Sequence, residues 1–135
     1  MPKVKITERS IDPSRAISDV IRNDCAAVIA FIGTVRGKSD DEGFREIEVG
    51  KCSDNDTDQL TRIVNDAFEK FRLGEIILVY RIGILQVGDI VLTVAVSAAR
   101  RKEAFEACTE VMDRIGDTTT IWDGETFEKT VESRI

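Results

Sequence analysis

Apolar residues along this 135-residue chain recur with two different periods, and the switches between them mark its elements. "KVKITE" alternates polar and apolar positions and predicts a short strand. "DPSRAISDVIRND" predicts a helix, with Asp12 as its cap, Pro13 at the first helical position and Ile17, Val20 and Ile21 as a stripe. "CAAVIAFIGTVRG", from Cys25 to Gly37, is nearly continuous apolar sequence rich in β-branched residues. It predicts a buried strand whose end delivers Arg36 to a loop. "GKSDDEG" reads as a polar, mobile loop, after which "FREIEVGK" alternates again with Phe44, Ile47 and Val49 facing inward.

"SDNDTDQLTRIVNDAFEKFRLG" carries Leu60, Ile63, Val64, Ala67, Phe68 and Phe71 at spacings of three and four, which predicts a helix ended by Gly74. "EIILVYRIGILQVGDIVLTVAVSAA" predicts two or three strands, broken at "RIG" and at the turn Gly88-Asp89. "RKEAFEACTEVMDRIG" predicts a second long helix with Ala104, Phe105, Cys108, Val111, Met112 and Ile115 on one face and Gly116 at its end. The remainder, "DTTTIWDGETFEKTVESRI", is β-prone with a turn at Asp123-Gly124. With no repeat, low-complexity tract or linker, the expected architecture is one α+β domain spanning residues 1–135, a mixed or antiparallel sheet with two main helices.

Composition narrows the chemistry. An apolar share of 42% and a charged share of 33% describe a globular protein. No apolar run approaches the ~20 residues of a membrane span. "MPKVKITERS" lacks the apolar core of a secretion signal. Cys25, Cys52 and Cys108 are odd in number and form no C-x-x-C pattern, so three free thiols in a reducing, cytoplasmic setting are expected. A net charge of −6 argues against nucleic-acid binding while leaving room for a local basic pocket. The chain has no histidine, which removes the imidazole base, the Cys-His and Ser-His dyads and His-ligated zinc. Chemistry therefore falls to Lys, Arg, Asp, Glu, Tyr, Cys or backbone groups, and no metal and no cofactor are expected.

Against that acidic background, "SAARRKEAF" places Arg100, Arg101 and Lys102 where a strand gives way to a helix. The positive end of the helix dipole disfavours cations there, so either they are solvated or an anion belongs beside them.

Four stretches carry a resemblance: "AAVIAFIGTVRG", "VYRIGILQVGDIVLTVAVSAARRKEAFEA", the helix ending "VMDRIG", and "IWDGE". Together they resemble the large, catalytic subunit of molybdopterin synthase, the MoaE family, most continuously from Tyr80 to Glu125. The resemblance implies an α+β fold of the α/β hammerhead type and a homodimer. It also implies a ubiquitin-like small-subunit partner whose C-terminal Gly-Gly carries a thiocarboxylate. Sulfur would pass from that tail to cyclic pyranopterin monophosphate, giving the dithiolene of molybdopterin. Such a site needs cations for phosphate and carboxylate and an amine as nucleophile or proton donor.

Carried over by position, the family's arginine after Gly-x-Val is Arg36. Its Ser-Ala-His-Arg motif falls on Ala98-Ala99-Arg100-Arg101, so Arg101 is retained and Arg100 stands where the family has histidine. The two family lysines fall on Gly116 and Asp123, and both amines are gone. The family's Glu-x-Tyr and following Met also depart, with Cys52 and Asn55 near those positions. The resemblance thus assigns Arg36, Arg100 and Arg101 to an anion and leaves Lys102 and Lys129 as replacement amines. Two readings stay open: a synthase with impaired chemistry, or a non-catalytic dimeric protein that binds the small-subunit tail or an anionic pterin. Arg100 either faces a ligand or pairs with Asp123.

Overall fold

The computed structural model describes residues 2–36, 46–50 and 52–118. Its elements run β1 (Lys3–Thr7), α1 (Pro13–Val20), β2 (Ala27–Thr34), β3 (Glu46–Val49), α2 (Asp54–Lys70), β4 (Glu75–Arg81), β5 (Gly83–Gln86), β6 (Ile90–Ala98) and α3 (Arg101–Thr118). The polar loop and, from residue 119 on, the β-prone C-terminal stretch predicted from the sequence lie outside the described residues, as do Phe44, Trp122, Asp123 and Lys129; Asp117 and Thr118, read as its start, belong to α3 instead.

Alternation along the strands sorts the core into two faces. Ile76, Leu78 and Tyr80 of β4 join Leu92, Val94 and Val96 of β6 beneath α2 and α3, while Ile77 and Ala95 meet Ala16 and Val20 of α1. Because β4 and β6 are apolar on both sides, they occupy the middle of a four-stranded sheet in the order β1-β4-β6-β2. β1 runs parallel to β4, and the other two ladders are antiparallel. β3 and β5 form a separate antiparallel pair. The architecture is α+β, with one short helix on one face of the main sheet and the two long helices on the other.

Local chemistry fixes the helix starts. Asp12 caps α1 by accepting from the Ser14 amide at 3.0 Å and the Ser14 hydroxyl at 2.7 Å. Those bonds hold the Asp12 carboxyl below the usual carboxylate range. Ser53 and Asp56 form a reciprocal capping box at the start of α2. α1 stops at Val20, which leaves Ile21 outside the predicted stripe and exposed. Phe105 also departs from its predicted place: it is 57% exposed, because Ala104, Ala107, Cys108, Val111 and Ile115 take the sheet-facing side of α3.

Two glycines do different work from what the sequence implied. α2 ends at Lys70 and the left-handed residue after it is Arg72, at φ 51°, so Gly74 does not cap the helix. Gly74 instead permits a close approach. A Cβ there would sit 2.3 Å from Cys25 Sγ and 3.0 Å from both Ser97 Oγ and Arg22 Cδ. Gly74→Ala is therefore expected to destabilise the fold by about 1–3 kcal/mol, as overpacking does. Adding Cys25→Ala should recover most of that loss in a denaturation double-mutant cycle. An unchanged penalty in the double variant would show that the thiol is not the obstacle. Gly116 likewise does not end its helix, since α3 continues through it to Thr118.

Candidate functional site

The retained arginines sit at the ends of β2 and β6, and the register of that pair decides their relation. Ala27 pairs with Ala98 and Thr34 with Ile90. At one end, the Ala26 amide donates to the Ala99 carbonyl at 3.4 Å, holding the junction that leads to Arg100 and Arg101 beside the start of β2. At the other end, the Val35 amide donates to the Asp89 carbonyl at 2.9 Å and the Gly88 amide to the Val35 carbonyl at 2.8 Å. Those bonds fix the root of Arg36 against the β5–β6 turn, where Gly88 adopts φ 96°. The eight paired residues between the two ends cover about 25 Å. Arg36 and Arg101 of one chain therefore cannot meet on one small anion.

α3 carries the division further. Its 18 residues rise about 27 Å, close to the length of β6, and it packs against both β2 and β6. It folds back over the sheet, so that Gly116 lies far from the Arg101 end. Gly116 is exposed on the last turns, so a side chain placed there would have room. Lys102 stands at the Arg101 end, about 20 Å along the helix from Gly116, and cannot replace an amine at that position in its own chain.

At the β6–α3 junction, Arg100, Arg101 and Lys102 are exposed, and the first-turn amides of α3 face the same end. Arg100 Nε lies 3.5 Å from Glu103 Oε1, with the Arg100 side chain 85% exposed. Arg100 thus has a carboxylate partner in the first turn of the helix that follows it, a weak surface pair. The pairing with Asp123 concerns a residue outside the described ones.

Two of the thiols, Cys52 and Cys108, are poor nucleophiles at ordinary pH. Burial, with Asp56 nearby, pushes the Cys52 thiol up to about 11, and burial also raises Cys108. All three cysteines are free. Among the described residues no group of three or more Cys, Asp or Glu is placed to hold a metal ion, and no helix is long and apolar enough to cross a membrane.

These features define an α+β subunit whose cations stand at two opposite ends of the sheet, one of them a strand-to-helix junction suited to anions. The comparisons with known proteins agree with that class. The MoaE protein family profile matches residues 6–118. The molybdopterin synthase catalytic subunit of Thermoplasma volcanium is 30% identical over 125 residues, covering 93% of this chain and 91% of that protein. The crystal structure of molybdopterin synthase from Staphylococcus aureus superposes with a TM-score of 0.78 at 28% identity, covering 87% of this chain and 86% of that one. A complex of subunits 1 and 2 of the molybdopterin-converting factor from Helicobacter pylori shares the fold, with a TM-score of 0.65 at 15% identity over 88% of this chain and 81% of that one. The chain belongs to the MoaE family.

Proposed function

We propose that this chain is the catalytic-subunit component of a molybdopterin synthase, acting in molybdenum cofactor biosynthesis. In that role it receives the thiocarboxylated C-terminal tail of a ubiquitin-like small subunit and binds cyclic pyranopterin monophosphate as the sulfur acceptor. The observation that carries the reading is the family match across residues 6–118, with Arg36 and Arg101 in place at the two ends of the β2–β6 ladder.

That ladder also implies how the anion site is built. Since one chain holds Arg36 and Arg101 about 25 Å apart, a site using both takes them from two copies. A two-fold dimer that brings the Arg36 end of one copy to the Arg101 end of the other makes two equal sites. Each would combine Arg36 and the Gly116 position from one chain with Arg101, Arg100 and Lys102 from the second. The chemistry of those sites is weakened in this chain. Gly116 supplies no amine, and Asp123 places a carboxylate where the family has an ammonium group. A carboxylate beside an anionic substrate opposes its binding instead of supporting it.

The assay is direct. Purified protein, thiocarboxylated small subunit and cyclic pyranopterin monophosphate are mixed, and molybdopterin is followed alongside a lysine-bearing relative. The expected result is a stable complex with the small subunit and slow product formation. A rate equal to that of the relative would contradict the weakened site, and absence of the complex would contradict the partner assignment.

A further inference from the structure

A second cluster of cations lies on the other face of the sheet, at its far edge. α1 packs over β4, β6 and β2. A trough is left between the helix and β1, with a cavity volume of about 360 Å³, within the usual range for small-molecule sites. Alternation along β1 turns Val4 and Ile6 towards the main core and Lys5 and Thr7 towards this trough. Lys5 lies opposite Val79 in the parallel ladder, and the half-buried Val79 of β4 supplies an apolar floor, with Ile77 beside it buried under α1. Arg9, from the turn after β1, and Arg15, on the first turn of α1, complete the walls with Lys5.

Three cations gathered at one trough of an acidic chain would ordinarily be paired. Among the described residues, none of the Lys5, Arg9 and Arg15 side chains has a hydrogen bond or an ion pair; Arg15 acts only through space on Asp12. Two carboxylates also line the trough, and neither neutralises the set. Asp12 is engaged by the Ser14 amide and hydroxyl as the α1 cap. Asp19 stands towards the other end of the helix and, among the described residues, forms no ion pair with any of the three cations. The trough is separate from the Arg36 and Arg101 ends. β1 and β2 are opposite edges of the sheet, three strand spacings or about 14 Å apart, and α3 covers the other face.

We propose that the trough between β1 and α1 is a binding site for a phosphate monoester of an apolar ring, with the phosphate held by Lys5, Arg9 and Arg15 and the ring on Val79. The phosphate would take charge-assisted bonds from the three cations. The ring would displace water from Val79, which the short helix leaves half-buried. Edge lysines that serve only to block strand pairing would bind no such ligand.

The probe is phenyl phosphate, titrated into the full chain and followed by amide shifts in heteronuclear NMR. Saturable shifts of Thr7, Arg9, Ile77 and Val79 are expected, with inorganic phosphate binding at least about tenfold more weakly because it leaves the floor empty. Arg9→Ala combined with Arg15→Ala should weaken phenyl phosphate by roughly tenfold or more, while Arg62→Ala on α2 leaves it unchanged. All three side chains are exposed, so these variants keep the fold. Shifts confined to the α3 start, equal binding by the Arg9 and Arg15 variant, or an equal loss with Arg62→Ala would overturn the proposal.

Discussion

The double substitution Gly116→Lys and Asp123→Lys is expected to raise molybdopterin formation by about 10²-fold or more, the scale that a positioned proton donor contributes. Each substitution acts by a stated route. Gly116 is exposed on the last turns of α3, which pass through it to Thr118, so a lysine enters a helix already formed. Lysine also favours that helix over glycine by roughly 0.5–1 kcal/mol. On the proposed correspondence of Asp123 with a family lysine, Asp123→Lys reverses the sign of a charge that would face an anionic substrate. Gly116→Ala with Asp123→Ala separates the effects, since it takes the helix gain and removes the carboxylate without adding an amine. Rates for the native chain, the alanine pair and the lysine pair should rise only in the last. A lysine pair no faster than the alanine pair would show that the defect lies elsewhere, with the departures around Cys52 the next place to test.

Removing either retained arginine should cost nearly all phosphate affinity. Arg36→Ala and Arg101→Ala each delete a charge-assisted contact and leave the substrate phosphate less compensated, an expected loss of about tenfold to a hundredfold in cyclic pyranopterin monophosphate binding by calorimetry. Arg100→Ala should lose less, because its guanidinium is highly exposed and already faces Glu103. Equal losses at Arg100 and Arg101 would mean that the substituted arginine has taken up the ligand. No loss at Arg36 or Arg101 would remove the anion site.

Much of the scaffold was legible in the residue pattern. The three-and-four spacing in α2, the unbroken apolar run of β2 and the breaks at Gly83 and Gly88 follow from local periodicity and turn chemistry, which do not depend on distant partners. The pairing of β3 with β5 in a separate small sheet was not legible, because alternation marks a strand without naming its neighbour. Gly74 looked like a helix stop, as a glycine after a periodic run does, yet its role depends on Cys25, which lies far away in sequence. The candidate site is named by the sequence as a set of residues and not as a place. The motif match names Arg36 and Arg101 together, while the antiparallel register of β2 and β6 sets them at opposite ends. That separation is a property of chain direction, which composition and motif spacing do not carry.

The central claim, a family site divided between two copies, is tested most directly by mixing Arg36→Ala chains with Arg101→Ala chains and titrating cyclic pyranopterin monophosphate after subunit exchange. A mixed dimer joins the intact Arg36 of one chain to the intact Arg101 of the other in one site and both alanines in the second. Tight binding should therefore return in the mixture at about a quarter of all sites, although neither variant binds tightly alone. If both arginines served one ligand within a single chain, no mixture would restore it, and persistent loss of tight binding after confirmed exchange would contradict the account.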